Sequence, residues 1–152
     1  MFKLIKAIKQ YDTTKALKII ESGHYDPDKL SKYGDCTALM HACIFKLSDV
    51  ALALIATGKS KPKHVDSNNF TALMYACRRN MTDVAIALIA TGKSNHEHAD
   101  KSGYTALTYA RLYNMTAVID ALENYDNYMA SLQQPTQTNP YDDPNYVMSI
   151  DI

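Results

Sequence analysis

An all-α solenoid of about four helix-turn-helix units is the fold class this sequence predicts, and two observations carry it. Residues 37–66, TALMHACIFKLSDVALALIATGKSKPKHVD, are nearly rewritten as residues 71–100, TALMYACRRNMTDVAIALIATGKSNHEHAD. A third copy opens at Thr105 with TALTYARLYNMTAVIDAL, and a blurred one precedes the pair. An offset of about 34 residues belongs to stacked repeat arrays, where each unit buries its apolar face against its neighbours. The expected organisation is an array over residues 1–134, with an N-terminal cap unit (1–34), repeats at 35–68 and 69–102, and a C-terminal cap unit (103–134). A disordered acidic tail is expected to follow over 135–152.

In order along the chain, Phe2, Leu4, Ile5 and Ile8 mark one apolar helical stripe, with lysines on the other side. Thr13 or Thr14 offers an N-cap for the next helix, which Gly23 stops at a position where positive φ costs little. Residues 24–36, HYDPDKLSKYGDC, hold Pro27, Gly34 and several Asp residues and predict a loop. Thr37 then opens a short helix with Leu39, Ala42 and Cys43 on one face. Ser48 is expected to cap a second helix that buries Val50, Ala51, Leu54 and Ile55 and ends at Gly58. The next repeat reuses the scheme with Thr71, Leu73, Ala76 and Cys77, then Thr82 as cap, Val84, Ala85, Leu88, Ile89 and Gly92. In the last unit the terminal glycine is missing. Val118, Leu122, Tyr125, Met129 and Leu132 keep helical spacing, so its second helix is expected to run on, with a polar outer side suited to a cap. From Pro135 the chain has three prolines, no positive charge and no period.

Lysine plus arginine balance aspartate plus glutamate at 16 each, so the total charge singles out neither nucleic acid nor membrane as a partner. The balance hides an asymmetry along the chain: Lys3, Lys6, Lys9, Lys15 and Lys18 make the N-terminus basic, and no Lys or Arg follows Arg111. Of the three cysteines, Cys43 and Cys77 take the same place in successive repeats and read as small buried apolar residues, while Cys36 falls in a turn. Nothing in their spacing suggests a disulfide framework, which favours a reducing, cytoplasmic compartment. The opening residues MFKLIKAIKQY read as an amphipathic helix rather than a signal peptide, and no segment is long and apolar enough to span a bilayer.

The strings DSNNFTALMYA (66–76) and DKSGYTALTYA (100–110) resemble the ankyrin-repeat pattern D-x-x-G-x-T-P-L-H-x-A, and the resemblance covers about residues 1–125. It implies a turn followed by two antiparallel helices in each unit. Where the family has Pro this chain has Ala38, Ala72 and Ala106, and where the family has His it has Met40, Met74 and Thr108. The Thr–His hydrogen bond that braces the family's turn is therefore expected to be missing, softening each repeat. The family's helix-turn glycine is replaced by Lys46, Asn80 and Asn114, of which asparagine tolerates a left-handed backbone and lysine less so. The phrasing IATGKS-x-x-x-H-x-D before TAL-x-x-A is further similar to the large ankyrin families encoded by giant DNA viruses of amoebae.

That resemblance implies a binding module without catalytic residues, in contact with its partners through hairpin tips and the concave inner helix face. The two near-identical repeats diverge at just such places. Ile44, Phe45 and Lys46 stand against Arg78, Arg79 and Asn80, with Leu112, Tyr113 and Asn114 in the third copy, and Cys36, Phe70 and Tyr104 precede the three threonines. The expected partner-binding residues are Cys36, Ile44, Phe45, Phe70, Arg78, Arg79, Lys101, Tyr104, Leu112 and Tyr113, because aromatics and arginine dominate binding hot spots. Free drift at helix ends is the plainer explanation, but drift deposits small polar residues more often than aromatics.

Enzyme readings fare worse. His96, His98 and His64 lack further ligands at metal spacing. His41 and Cys43, two apart on a helix, face different ways. The GKS strings at 58–60 and 92–94 follow helices and lack the earlier glycine of a phosphate loop, so they read as helix caps. Lys3, Lys6, Lys9, Lys59, Lys61, Lys63 and Lys93 offer a basic edge for nucleic acid, but solvated cap and loop faces account for them better at zero net charge. The tail residues Tyr141, Tyr146, Val147, Met148, Ile150 and Ile152 suggest either a short linear motif or a segment docking back over Arg78 and Arg79. The expectation is thus a monomeric viral ankyrin protein that binds a host or viral protein of unknown identity. It calls for no cofactor, metal, small-molecule substrate or membrane, with nucleic acid disfavoured. A structural or virion-associated role without a discrete target is the alternative.

Overall fold

The computed structural model describes residues 3–133, and among these the regular elements are all helices, with one isolated antiparallel bridge between Ala99 and Thr105. The helices are α1 (Lys3–Lys9), α2 (Thr13–Ser22), α3 (Ala38–Ile44), α4 (Ser48–Ala56), α5 (Ala72–Arg78), α6 (Thr82–Ala90), α7 (Ala106–Leu112), α8 (Thr116–Glu123) and α9 (Tyr125–Gln133). They pair in chain order, α1 with α2 through α7 with α8. Each pair then stacks on the next, like helix on like helix: α1–α3–α5–α7 makes a front row and α2–α4–α6–α8 a back row, closed by α9 on α8. This is the predicted all-α solenoid. The expected tail and Phe2 lie outside the described residues.

Each front helix after the first starts where the sequence places it. Thr37 and Thr71 accept the amide N–H of Met40 and Met74 at 3.2 Å through their hydroxyls. Thr105 does the same for Thr108, whose own hydroxyl accepts the Thr105 amide, a reciprocal capping box. The front helices end in one repeated turn. Lys46, Asn80 and Asn114 take φ of +56°, +53° and +53°. In the first of these turns the Lys46 amide bonds the Cys43 carbonyl at 3.0 Å and the Leu47 amide bonds that of Ala42 at 2.8 Å. That paired closure satisfies carbonyls a helix end otherwise leaves bare.

The turn also corrects the expected caps of the back row. Ser48 and Thr82 are the first helical residues, and the cap positions belong to Leu47 and Met81, which make no side-chain cap hydrogen bond. One residue has to end the turn and begin the helix, and its side chain goes to the core: Met81 is 3 % exposed. Asp12, not Thr13 or Thr14, caps α2, its carboxylate accepting the Lys15 amide at 3.0 Å. The expected continuation of the last helix is also wrong. α8 stops at Asn124 (φ −112°, ψ 38°), whose side-chain amide donates to the Asp120 carbonyl at 3.3 Å and so competes with the backbone ladder. The chain restarts as α9, which buries none of its residues fully.

Ala42, Ala76 and Ala110 are wholly buried between front helices, where their small side chains allow close approach. Val50, Val84 and Val118, with Leu88 and Ile89, fill the space between the rows, while Ile55 is only half-buried. Gly58 and Gly92 end α4 and α6 at φ +66°, so both GKS strings sit at helix ends. The loops that follow clamp each unit to the one before. His64 Nε2 lies 2.7 Å from the Asp35 carbonyl oxygen and His98 Nε2 3.2 Å from that of Asn69. The Ser67 amide bonds the Gly34 carbonyl at 3.1 Å, and Asn69 Nδ2 bonds that of Ala99 at 3.1 Å.

Candidate functional site

The hairpin tips are built around two aspartates. Asp66 Oδ1 accepts the amides of Asn68 and Phe70 at 2.9 Å, and Asp100 Oδ1 those of Ser102 at 2.8 Å and Tyr104 at 3.0 Å. The other carboxylate oxygen of each reaches the front helix: the Tyr75 hydroxyl donates to Asp66 Oδ2, and the Tyr109 hydroxyl to Asp100 Oδ2, both at 2.5 Å. A Tyr–Asp tie therefore joins tip to helix in a chain that lacks the Thr–His pair. Burial opposes charge on Asp100, but the Tyr109 hydroxyl and the two amides outweigh it and hold its carboxyl below the usual range. Burial and the Asp100 carboxylate push the Tyr109 phenol up to about 12. The Tyr75 phenol is raised for the same two reasons, burial first and Asp66 second.

The same arrangement fails in the first full repeat. His41 occupies the position of Tyr75 and Tyr109, and the backbone bond between Ser31 and Cys36 (2.9 Å) stands where Asp66 pairs with Phe70. Ser31 is too short to bridge, and both ring nitrogens of His41 are buried without a hydrogen-bond partner. Burial first, and the Lys9 charge second, push the imidazole pKa down to about 4.

The expected partner-binding residues fall into separate environments. Phe70 stacks on Tyr75 (centroids 5.0 Å apart) and leans on Tyr109 (5.8 Å), which meets Tyr104 edge-on (5.9 Å). The Arg78 guanidinium lies over the Phe70 ring at 5.7 Å, so Phe70, Arg78 and Tyr104 form one cluster between the second and third tips. Phe45 belongs to another, edge-on to Tyr11 (5.3 Å) and stacked on His41 (6.1 Å). Arg79, Leu112 and Tyr113 are exposed at the ends of α5 and α7, and Ile44 is half-buried. Lys101 is exposed but already donates to the Ser67 carbonyl at 2.7 Å, bridging two tips. Cys36 has to be withdrawn from the surface set. It is 6 % exposed, with its sulfur 3.6 Å from Asp66 Oδ2, and burial with that carboxylate raises the thiol to about 11. Phe70 and Tyr104, at the same place in later repeats, are long enough to emerge; a cysteine is not. Cys43 and Cys77 are fully buried, as their spacing predicts.

The residues that sequence reasoning missed are Tyr11, Tyr75 and Tyr109, together with the two aspartates that hold the tips. The recurrence of Tyr nine positions after Asp, at 66/75 and 100/109, was the available signal. Charge was missed as well. Helices α1, α3, α5 and α7 contain Lys3, Lys6, Lys9, Arg78 and Arg111 and no acidic residue. Helices α4, α6, α8 and α9 contain Asp49, Asp83, Asp120, Glu123 and Asp126 and no Lys or Arg. Neutrality of the whole thus conceals a basic front row and an acidic back row beyond α2. Arg111 spends part of its charge on Glu123, 2.6 Å away.

A search of curated proteins finds no match to the chain. The family model described as ankyrin repeats (three copies) matches residues 4–97 and again 39–131, most of the chain on either side of the Tyr–Asp ties. Ankyrin repeats generally serve as protein–protein interaction modules and are typically non-catalytic. With its stacked two-row architecture and this match, the chain belongs to the ankyrin-repeat family.

Proposed function

We propose that this protein captures a protein partner on the front row and hairpin tips, through Phe45, Phe70, Arg78, Arg79, Tyr104, Leu112 and Tyr113. The supporting observation is the cluster of Phe70, Arg78, Tyr104 and Tyr109, which presents a cation and aromatic faces side by side on a surface held rigid from behind by the Tyr109–Asp100 bond. Rigid aromatic and arginine anchors give affinity without a large ordering cost. The resemblance of the IATGKS-x-x-x-H-x-D phrasing to viral ankyrin proteins extends the reading: the chain is a viral protein acting on a host or viral partner, as a monomer and without catalysis.

Affinity capture from host-cell lysate, comparing wild type with Phe45→Ala/Arg78→Ala/Arg79→Ala, tests it. Circular dichroism reports whether both remain folded. A protein held by wild type and lost by the variant supports the reading. Equal capture by both would move the contact to another face, and no specific capture would favour a structural or virion-associated role.

A further inference from the structure

Apart from the aromatic cluster, the front row holds a second feature, at its α1 end, that the divergent positions do not touch. Between α1 and the first tip loop lies a cleft of about 440 Å³ whose walls include Ile5, Lys6, Lys9, Ser31, Lys32 and Tyr33. Its floor is apolar, with Ile5 only 5 % exposed, and Tyr33 stands open at its edge at 76 %. Lys6, Lys9 and Lys32 are all exposed around it, and the Lys32 ammonium lies 5.7 Å from the centre of the Tyr33 ring. The ion pairs Lys61–Asp28 and Arg111–Glu123 lie elsewhere. The cleft opens beside a front row whose helices carry cations and no carboxylate.

We infer that this cleft is a docking site for an acidic peptide segment, one that seats an apolar side chain over Ile5 and sets flanking carboxylates against Lys6, Lys9 and Lys32. The inference rests on the front row being the binding face, and adds to it the chemistry of the partner. Charge complementarity chooses the occupant: three ammonium groups around an apolar floor match carboxylates flanking an aliphatic or aromatic residue, and repel a basic segment. A nucleic acid suits the site less well. The floor offers a pocket for one side chain rather than a track of stacked bases, and among the described residues of its walls Tyr33 is the sole aromatic ring.

The probe is a short fluorescent peptide rich in Asp and Glu around one central Phe, titrated into the full chain and followed by anisotropy. Its companions are the Asn/Gln version of the same peptide and a single-stranded oligouridylate. Binding of the acidic peptide is expected, weakened about tenfold or more by Lys6→Glu/Lys9→Glu and weakened again by added salt. Lys15→Glu/Lys18→Glu, the same charge change placed on α2 in the back row, should leave it within about twofold. All four lysines are exposed, so both variants are expected to fold, and circular dichroism checks this. Absence of acidic-peptide binding would overturn the inference, as would equal binding of the Asn/Gln peptide, equal loss in both lysine pairs, or binding of the oligouridylate alone. If the lysate partner is still captured through Phe45, Arg78 and Arg79 while the acidic peptide fails, the inference falls and the binding face stands.

Discussion

Tyr109 donates its hydroxyl to Asp100 at 2.5 Å, across nine residues of chain, and this bond ties the third hairpin tip to the helix beneath it. The same aspartate holds the backbone of its own turn, so one carboxylate organises both the tip and its attachment. Tyr75 and Asp66 repeat the arrangement one unit earlier. The tie lies directly behind Phe70, Arg78 and Tyr104, so the stability of the array and the shape of its candidate face depend on the same groups.

Loss of that tie should be measurable. Tyr109→Phe removes one hydrogen bond to a charged acceptor and is expected to cost about 1.5–3 kcal/mol in urea unfolding. Asp100→Asn combined with Tyr109→Phe should cost less than the sum of the single changes, because the pair acts as a unit. Purely additive costs would show that the bond contributes little.

Lys46 sits at φ +56° where the later repeats have asparagine at +53°. A lysine there carries a steric cost that asparagine largely avoids. Lys46→Asn is expected to stabilise the protein by roughly 1 kcal/mol, a rise of about 2–4 °C in melting temperature. An unchanged or lowered midpoint would mean that the first turn is held without strain.

His41 predicts a pH dependence of definite sign. Its folded pKa of about 4 lies below the ordinary 6.5, so the unfolded chain binds the extra proton between those values. Stability contributed by the neutral ring is present above pH 6.5 and falls away as pH drops towards 4. Between pH 7 and pH 5 the wild type should lose up to about 2 kcal/mol more than His41→Leu in urea titrations. Parallel losses in the two proteins would show that the imidazole is protonated in the folded state.

Much of this was legible in the sequence, for reasons that differ by element. Thr37, Thr71 and Thr105 announced the front helices because a capping hydroxyl and an apolar stripe are local signals. The left-handed turn at Asn80 was legible because asparagine is chosen there for its backbone. Asp12 was not identified as a cap because two adjacent threonines competed for the position, and the break at Asn124 was hidden by apolar spacing that continues across it. Cys36 was misplaced because its neighbours in register, Phe70 and Tyr104, differ from it in length rather than location. The division of charge between rows is invisible to a sum over the chain; it emerges only when charges are assigned to alternate helices.

The central claim, that the front row meets the partner, is tested most directly by photo-crosslinking from single positions. A photoreactive amino acid is placed at Arg79, exposed at the end of α5, or at Asp83, exposed on α6 in the back row. Each full-length variant is then irradiated with the partner isolated by wild-type capture. A covalent adduct from position 79 and none from position 83 is the predicted result. An adduct from position 83 alone would contradict the account and turn the binding face to the other side of the array.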